Sequence, residues 1–309
     1  MKKQTKQNKT KILCLLSGGL DSILALLVLK QQEKTNNLDI EGIQFISPFF
    51  NSNLPEKYSK QFNFKLHKID LANKKQYLKM LLHPKHGYGK AINPCIDCHI
   101  FMLKQAKAFA KKINAQIIAT GEVLEERPFS QNSKALKIIE KETKLDGKLL
   151  RPLSAKVLKE TDAEKKGIVD RNKLLGLMGR KRKIQTELAE RYNLIDYQQP
   201  AGGCLLCEQR FGERARELMQ NRGKDKIKIE DLELLKFGRH FEKNNIVIGR
   251  NEKENANIEI LAKKFKKSIL IIPQEPGPTA LISNKNYLNL AKKLIQKYSK
   301  HKIKKYAII

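Results

Sequence analysis

The hexapeptide Ser17-Gly18-Gly19-Leu20-Asp21-Ser22 lies between two apolar runs, Ile12 to Leu16 and Ile23 to Leu29. The first run has the length of a buried strand. Leu20, Ile23, Leu24, Leu27 and Val28 share one face of a helix that gives way to polar residues at Lys30. A strand, a small-residue loop and a helix in that order make a place for phosphate. Two glycines let backbone N–H groups approach an anion, and the helix start adds the positive end of its dipole. The Ser17 and Ser22 hydroxyls can complete the ring of donors. The commoner phosphate loop ends in a lysine; here there is none, and Asp21 stands where positive charge is expected. A carboxylate beside phosphate is tolerable when magnesium bridges the two, or when its oxygens cap helix amides.

Four of the five cysteines fall in two CxxC pairs, Cys95-Ile96-Asp97-Cys98 and Cys204-Leu205-Leu206-Cys207. Asn93-Pro94 precedes the first pair and a long helical pattern follows, which puts Cys95 and Cys98 one turn apart at a helix N-terminus, where the dipole favours thiolate. The second pair follows Pro200-Ala201-Gly202-Gly203, a turn in which backbone can come close to whatever Cys204 binds. Three chemistries fit: four thiolates on a zinc ion, three or four on a 4Fe–4S cluster, or one thiol carrying sulfur as a persulfide that another resolves. The alternative is a set of small apolar core residues, which is the reading for Cys14 inside the first strand.

The elements that would position these groups alternate. Asp39 to Ser47, Lys65 to Leu71 and Ala115 to Thr120 read as further strands, with helical patterns at Tyr77 to Leu82 and Cys98 to Ile113. The expected fold is therefore α/β, a parallel sheet with helices on both faces, followed by a small α+β domain. Ligands bind such sheets at the carboxyl ends of the strands, where Ser17, Ser47 and Gly121 would sit. A helical pattern is also expected over Lys173 to Tyr192, carrying the basic cluster Arg180-Lys181-Arg182-Lys183, which suits either solvent or an RNA backbone. Short strands at Asn245 to Gly249 and Ser268 to Ile272 and a closing lysine-rich helix from Asn286 to Ile309 complete the reading. The expected organisation is a basic tail at 1–11, a nucleotide domain at 12–210, a linker at 211–235 and a terminal domain at 236–309.

The 309 residues carry 62 Lys and Arg against 32 Asp and Glu, a net charge of +30. Such an excess implies a polyanion partner, held by counterion release, although an AT-rich genome would also enrich lysine. A membrane surface would call for a basic amphipathic helix with bulky anchors, and no such segment is evident. No apolar stretch in the manner of a signal peptide follows the first eleven residues, and no run approaches 18 apolar residues. A soluble cytoplasmic protein is expected, and a reducing compartment favours metal-binding or catalytic thiols over disulfides.

The hexapeptide resembles the SGGxDS signature of the PP-loop ATP pyrophosphatases. Ala119-Thr120-Gly121-Glu122, Leu150-Arg151-Pro152-Leu153 and Gly179 to Lys183 are similar to segments of their RNA thiouridine synthetases. With Pro94 to His99 and Gly202 to Cys204, the similarity spans about residues 11–210. The 2-thiouridine branch carries TGH where this chain has Thr120-Gly121-Glu122, and its two catalytic cysteines are not a CxxC. The spacing of Cys95, Cys98 and Cys204 is closer to the branch in which three cysteines hold a 4Fe–4S cluster. Residues 245–257 with Glu275-Pro276-Gly277-Pro278 resemble the small NFACT-type RNA-binding domain.

What this resemblance implies is an ATP-dependent sulfurtransferase acting on RNA, tRNA foremost. ATP would rest on Ser17, Gly18, Gly19, Asp21 and Ser22, with Ser47 and Gly121 at its adenine end and Mg2+ beside Asp21. A base carbonyl would be adenylated with loss of pyrophosphate, and sulfur handled by Cys95, Cys98 and Cys204, on a cluster or with zinc as the alternative metal, would then displace AMP. Cysteine desulfurase or free sulfide would donate it. Two rivals stand: a PP-loop ligase or amidating enzyme on RNA, and a non-catalytic RNA-binding protein with a relic nucleotide site.

Overall fold

A computed structural model describes residues 9–197 and 203–309. The basic tail before residue 9 and the turn residues Pro200, Ala201 and Gly202 lie outside the described residues. The chain divides into two units, one of residues 1–89 and 93–205, the other of 90–92 and 206–309.

The first unit runs β1 (Thr10–Leu15), α1 (Leu20–Lys30), β2 (Leu38–Ile46), α2 (Leu54–Gln61), β3 (Leu66–Asp70), α3 (Lys75–Leu82), α4 (Cys95–Lys112), β4 (Ile117–Ala119), α5 (Ser133–Thr143), β5 (Leu149–Leu150), α6 (Asp162–Lys165) and α7 (Lys183–Arg191). Its five strands form one parallel sheet in the order β3-β2-β1-β4-β5. Chain order reverses direction across the sheet between β1 and β4, so their carboxyl ends open the crevice where α/β sheets bind ligands. The α/β expectation is met, and Ser17, Ser47 and Gly121 each follow the end of a strand.

Helix α1 is buried more completely than its one-faced pattern suggested. Leu20 and every residue from Ser22 to Leu29 are buried, since α1 lies between the sheet and α7. Each large side chain so buried contributes about 1.5–3 kcal/mol. Cys14 is buried in the same core, and burial pushes its thiol far above the ordinary cysteine range.

The helical pattern over Lys173 to Tyr192 needs correction. Only α7 is a long helix there; residues 174–182 are not helical. The amides of Leu175, Leu177 and Gly179 donate to the carbonyls of Pro152, Leu153 and Leu124, and Gly179 has φ +84°. Long-range backbone pairing thus outweighs the local helical preference of KLLGLMG.

The second unit comprises α8 (Gln209–Arg222), α9 (Ile229–Leu234), β6 (Arg239–Phe241), β7 (Ile246–Ile248), α10 (Glu252–Ala262), β8 (Ile269–Pro273), β9 (Ala280–Ile282), α11 (Leu288–Tyr298) and β10 (Tyr306–Ile308). Its strands form an antiparallel sheet in the order β10-β8-β9-β7-β6. Ile246, Ile248, Ile271, Ala280 and Ile282 face Ala291 and Ile295 of α11, while Val247, Leu270 and Leu281 face Ile258 and Leu261 of α10. The closing helix is shorter than expected. It ends at Tyr298, and Tyr306 to Ile308 add an edge strand to β8, because Tyr-Ala-Ile can alternate faces whereas the preceding lysines cannot be buried.

Candidate functional site

The loop between β1 and α1 is held by its own serines. Ser22 Oγ donates to Gly19 O at 2.7 Å and accepts from Ser17 N at 3.2 Å, while Gly19 N donates to Ser17 Oγ at 3.2 Å. Gly18 has φ +91°, and a Cβ there would stand 2.5 Å from Ser52 Oγ, so the turn requires glycine. Gly19 is the N-cap of α1 and no side chain caps the first turn. Asp21 therefore does not act as a helix cap.

Asp21 instead joins a cluster of charges. Arg182 Nη2 donates to its two carboxylate oxygens at 3.2 and 3.3 Å, and Arg182 Nη1 lies 3.6 Å from Glu126 Oε1. Burial pushes the Asp21 carboxyl up against the opposing pull of Arg182 and Arg127; burial and then the Asp21 charge push Glu126 up as well. Two partly buried carboxylates beside a phosphate loop are hard oxygen donors of the kind magnesium uses alongside phosphate oxygens. Of the basic cluster, Arg180, Lys181 and Lys183 are exposed while Arg182 turns inward. The sequence marks the cluster but not which member turns, and Glu126 and Arg127 carry no motif that points to them.

Gly121 sits against this corner. A Cβ on it would come within 2.5 Å of Asp21 O and 2.6 Å of Ser22 Cα. Backbone opposes backbone here, so neither side can yield by rotating a side chain. Gly121→Ala is expected to displace the start of α1 and to lower ATP affinity at least tenfold, as read by isothermal titration calorimetry.

The first cysteine pair heads α4, with Cys95 as its first residue and Pro94 as its N-cap. Asn93 Nδ2 donates to Cys95 Sγ at 3.3 Å. Asp97 is buried and accepts from the amides of Lys85 and His86 at 3.0 and 2.9 Å, a structural tie rather than a free acid. The Leu205 amide donates to Phe49 O at 2.9 Å, bringing the chain at Cys204 to the loop after β2. In that loop Ser47 Oγ accepts from the amides of Phe49 and Phe50. Among the described residues the fully buried Tyr77 hydroxyl meets no hydrogen-bond partner at good geometry. Burial, and then the neighbouring Cys98 and Cys204 thiols, push that hydroxyl well above the usual tyrosine range, with Ser47 opposing.

Thus the charges of Cys98 and Cys204 both act on one buried hydroxyl, and that of Cys95 acts on His99. Among the described residues no three His, Cys, Asp or Glu side chains are placed to hold one metal ion. Cys95, Cys98 and Cys204 supply the right donor type for a 4Fe–4S cluster or zinc, but as they stand they do not assemble either. All five cysteines are unbridged. Cys207 belongs to the second unit.

Three of the similar strings meet in one network. Glu122 Oε1 lies 2.8 Å from His99 Nδ1, and its Oε2 accepts from Arg151 Nε at 2.9 Å and from Thr120 Oγ1 at 2.9 Å. Arg151 also pairs with Glu140. Burial alone would raise the Glu122 carboxyl, but Arg151 and His99 overcome it and hold it down to about 2. The glutamate that departs from the TGH pattern is therefore the partner of His99 in the CxxCH string.

Among the described residues no helix is long and apolar enough to cross a membrane. No curated protein matches the chain. Among solved structures, the U34-tRNA thiolase NcsA from Methanococcus maripaludis with its 4Fe–4S cluster is 16% identical over 78% of this chain and 76% of that chain, with a TM-score of 0.35. The NMN synthetase from Francisella tularensis is 13% identical over 64% and 81%, with a TM-score of 0.28. The family model described as NFACT protein RNA binding domain matches residues 238–309. The model described as thiamine biosynthesis protein (ThiI) matches residues 7–176, more than half of the chain, and this protein therefore belongs to that PP-loop family.

Proposed function

We propose that the protein is an ATP-dependent RNA sulfurtransferase, with tRNA as the foremost substrate, that adenylates a nucleobase carbonyl and replaces its oxygen with sulfur. The observation that carries this reading is the coexistence, in one PP-loop unit, of a phosphate loop bordered by Asp21 and Glu126 with a cysteine pair at the head of α4 and Cys204 in a segment tied to the loop after β2. An amine-using ligase has no need for such thiols. A relic nucleotide site has no need to keep the partly buried Asp21 and the buried Glu126 on one arginine.

ATP phosphates would rest on Ser17, Gly18, Gly19 and Ser22, with Ser47 and Gly121 at the strand ends beside them. Arg182 and Arg127 would share the charge of the triphosphate. Mg2+ would be held by Asp21 and Glu126 and would neutralise the leaving pyrophosphate. The base carbonyl oxygen attacks the α-phosphorus and pyrophosphate leaves. The terminal sulfur of a persulfide on Cys98 or Cys204 then attacks the activated carbon and AMP leaves. The partner thiol attacks the Sγ of the carrier, forming a disulfide and freeing the thiocarbonyl, and an external dithiol restores both thiols. A persulfidated donor such as a cysteine desulfurase loads the carrier, its terminal sulfur passing to the attacking thiolate while the donor leaves as its own thiolate. No step is assigned to a cluster, because the three cysteines are not drawn together.

The test compares thionucleosides of total RNA, by mass spectrometry after digestion, between a wild-type and a deletion strain. One thionucleoside is expected to vanish and return on complementation. An unchanged profile would sink the sulfur reading, and turnover of ATP to products other than AMP and pyrophosphate would sink the adenylation step.

A further inference from the structure

The last 34 residues, 276–309, contain eight lysines and no Asp or Glu. A genome-wide lysine bias would bring glutamate with it, so the absence of acid here is a local feature. Lys285, Lys293, Lys297, Lys300, Lys302, Lys304 and Lys305 are all exposed. Helix α11 buries Ala291 and Ile295 against the sheet and exposes Lys293 and Lys297, a short row that Lys300 continues past the helix end.

At one end of that row stands an aromatic stack. The Arg239 guanidinium of edge strand β6 lies over the Tyr298 ring at 4.5 Å from its centroid, and Phe241 of the same strand lies 6.0 Å from Tyr298 with the rings 32° apart. Lys297 adds its ammonium 5.7 Å from the same ring. Arg239, Phe241 and Tyr298 are half-buried, so each keeps part of its surface open. Among the described residues the Arg239 guanidinium has no carboxylate partner, so its charge is left to an outside anion.

Flat cationic and aromatic groups at the end of a lysine row fit one ligand chemistry. A lysine row alone suits any polyanion, duplex or single-stranded. An arginine laid on a tyrosine offers a face on which an unpaired base can stack, which a duplex cannot exploit. We propose that Arg239, Phe241 and Tyr298 form a base-stacking site for single-stranded RNA, with Lys293, Lys297 and Lys300 tracking the phosphates that lead to it. This deepens the RNA-sulfurtransferase reading and rests on its assignment of RNA as substrate.

The experiment uses the full chain and fluorescence anisotropy with a labelled twelve-nucleotide single strand and a duplex of the same length, over a range of salt. Tyr298→Ala is expected to weaken single-strand binding about tenfold, with duplex binding changed less than twofold, and Tyr298→Phe to retain wild-type affinity. Lys293→Ala with Lys297→Ala is expected to weaken both ligands and to make the salt dependence shallower by about one to two phosphate contacts. Thermal melts of the variants, with Arg239→Gln as a second probe that leaves the ring in place, separate loss of stacking from loss of folding. Equal losses on single strand and duplex, or no loss from Tyr298→Ala and Arg239→Gln, would overturn the stacking site while leaving the sulfurtransferase reading intact. Failure of the wild-type chain to bind either RNA would overturn both.

Discussion

Cys98→Ser and Cys204→Ser are each expected to reduce formation of the thionucleoside by about 10⁴-fold or more, the scale of losing a covalent nucleophile. ATP–pyrophosphate exchange on the RNA should survive within about threefold, because the thiols act after adenylation. The charges of both thiols act on the Tyr77 hydroxyl, Cys98 from the first turn of α4 and Cys204 from the segment tied to Phe49. Neither should stand in for the other, since in the proposed reaction one carries the sulfur and the other releases the product. Cys95→Ser is expected to leave some activity, because its neighbours are Asn93 and His99 rather than Tyr77. Quantifying product by mass spectrometry in the presence of a loaded sulfur donor and a dithiol decides the matter. Equal and complete loss in all three variants, together with iron and visible absorption in anaerobically purified wild type, would instead return the set to a three-cysteine cluster.

The contrast between those thiols and the phosphate loop shows what a sequence can hold. Ser17 to Ser22 is local: its glycines, serines and flanking apolar runs all act within one strand-turn-helix, so its place at the end of β1 is legible residue by residue. The parallel α/β sheet is legible for the same reason, through alternating periodicities. Arg182 is not, because four adjacent basic residues share one pattern and only the non-helical course of 174–182 decides which one meets Asp21. That course itself depends on carbonyls of Pro152, Leu153 and Leu124, which a local helical pattern cannot see. Glu122 looks like a mere departure from TGH until His99 and Arg151, 23 and 29 residues away, are brought to it. In the second unit, Tyr306 to Ile308 follow a lysine-rich stretch that hides a strand, and only pairing with β8 reveals it.

Arg151→Met is expected to lower stability by about 3–5 kcal/mol, the cost of stranding buried charge, which is several times that of an exposed pair. Only 2% of the Arg151 side chain is exposed, and it neutralises both Glu122 and Glu140. Without it, Glu122 remains buried with His99 as its one charged partner. The double variant Arg151→Met with Glu122→Gln should recover part of the loss, since a neutral amide needs no counter-ion; chemical denaturation of the three proteins measures this directly. The acid limb follows from the same group. Glu122 titrates near 2 in the fold against 4.5 as a free side chain. Its stabilisation of about 3 kcal/mol is therefore complete above about pH 5 and is lost as pH falls toward 2. His99 works in the opposite sense: burial lowers its pKa but Glu122 more than offsets this and raises it, so its share is present at acid pH and lost as pH rises through its folded value. Wild type should be most stable between those limits, and Glu122→Gln should flatten both flanks. An unchanged acid limb in Glu122→Gln would show that other carboxylates govern it. The same substitution bears on chemistry as well as stability, because Glu122 follows the glycine pressed against Asp21 and grips the histidine that follows Cys98. Loosening it should therefore slow thiolation more than it slows adenylation, since Cys95 and Cys98 hang on α4 while the phosphate loop is also secured by its own serines.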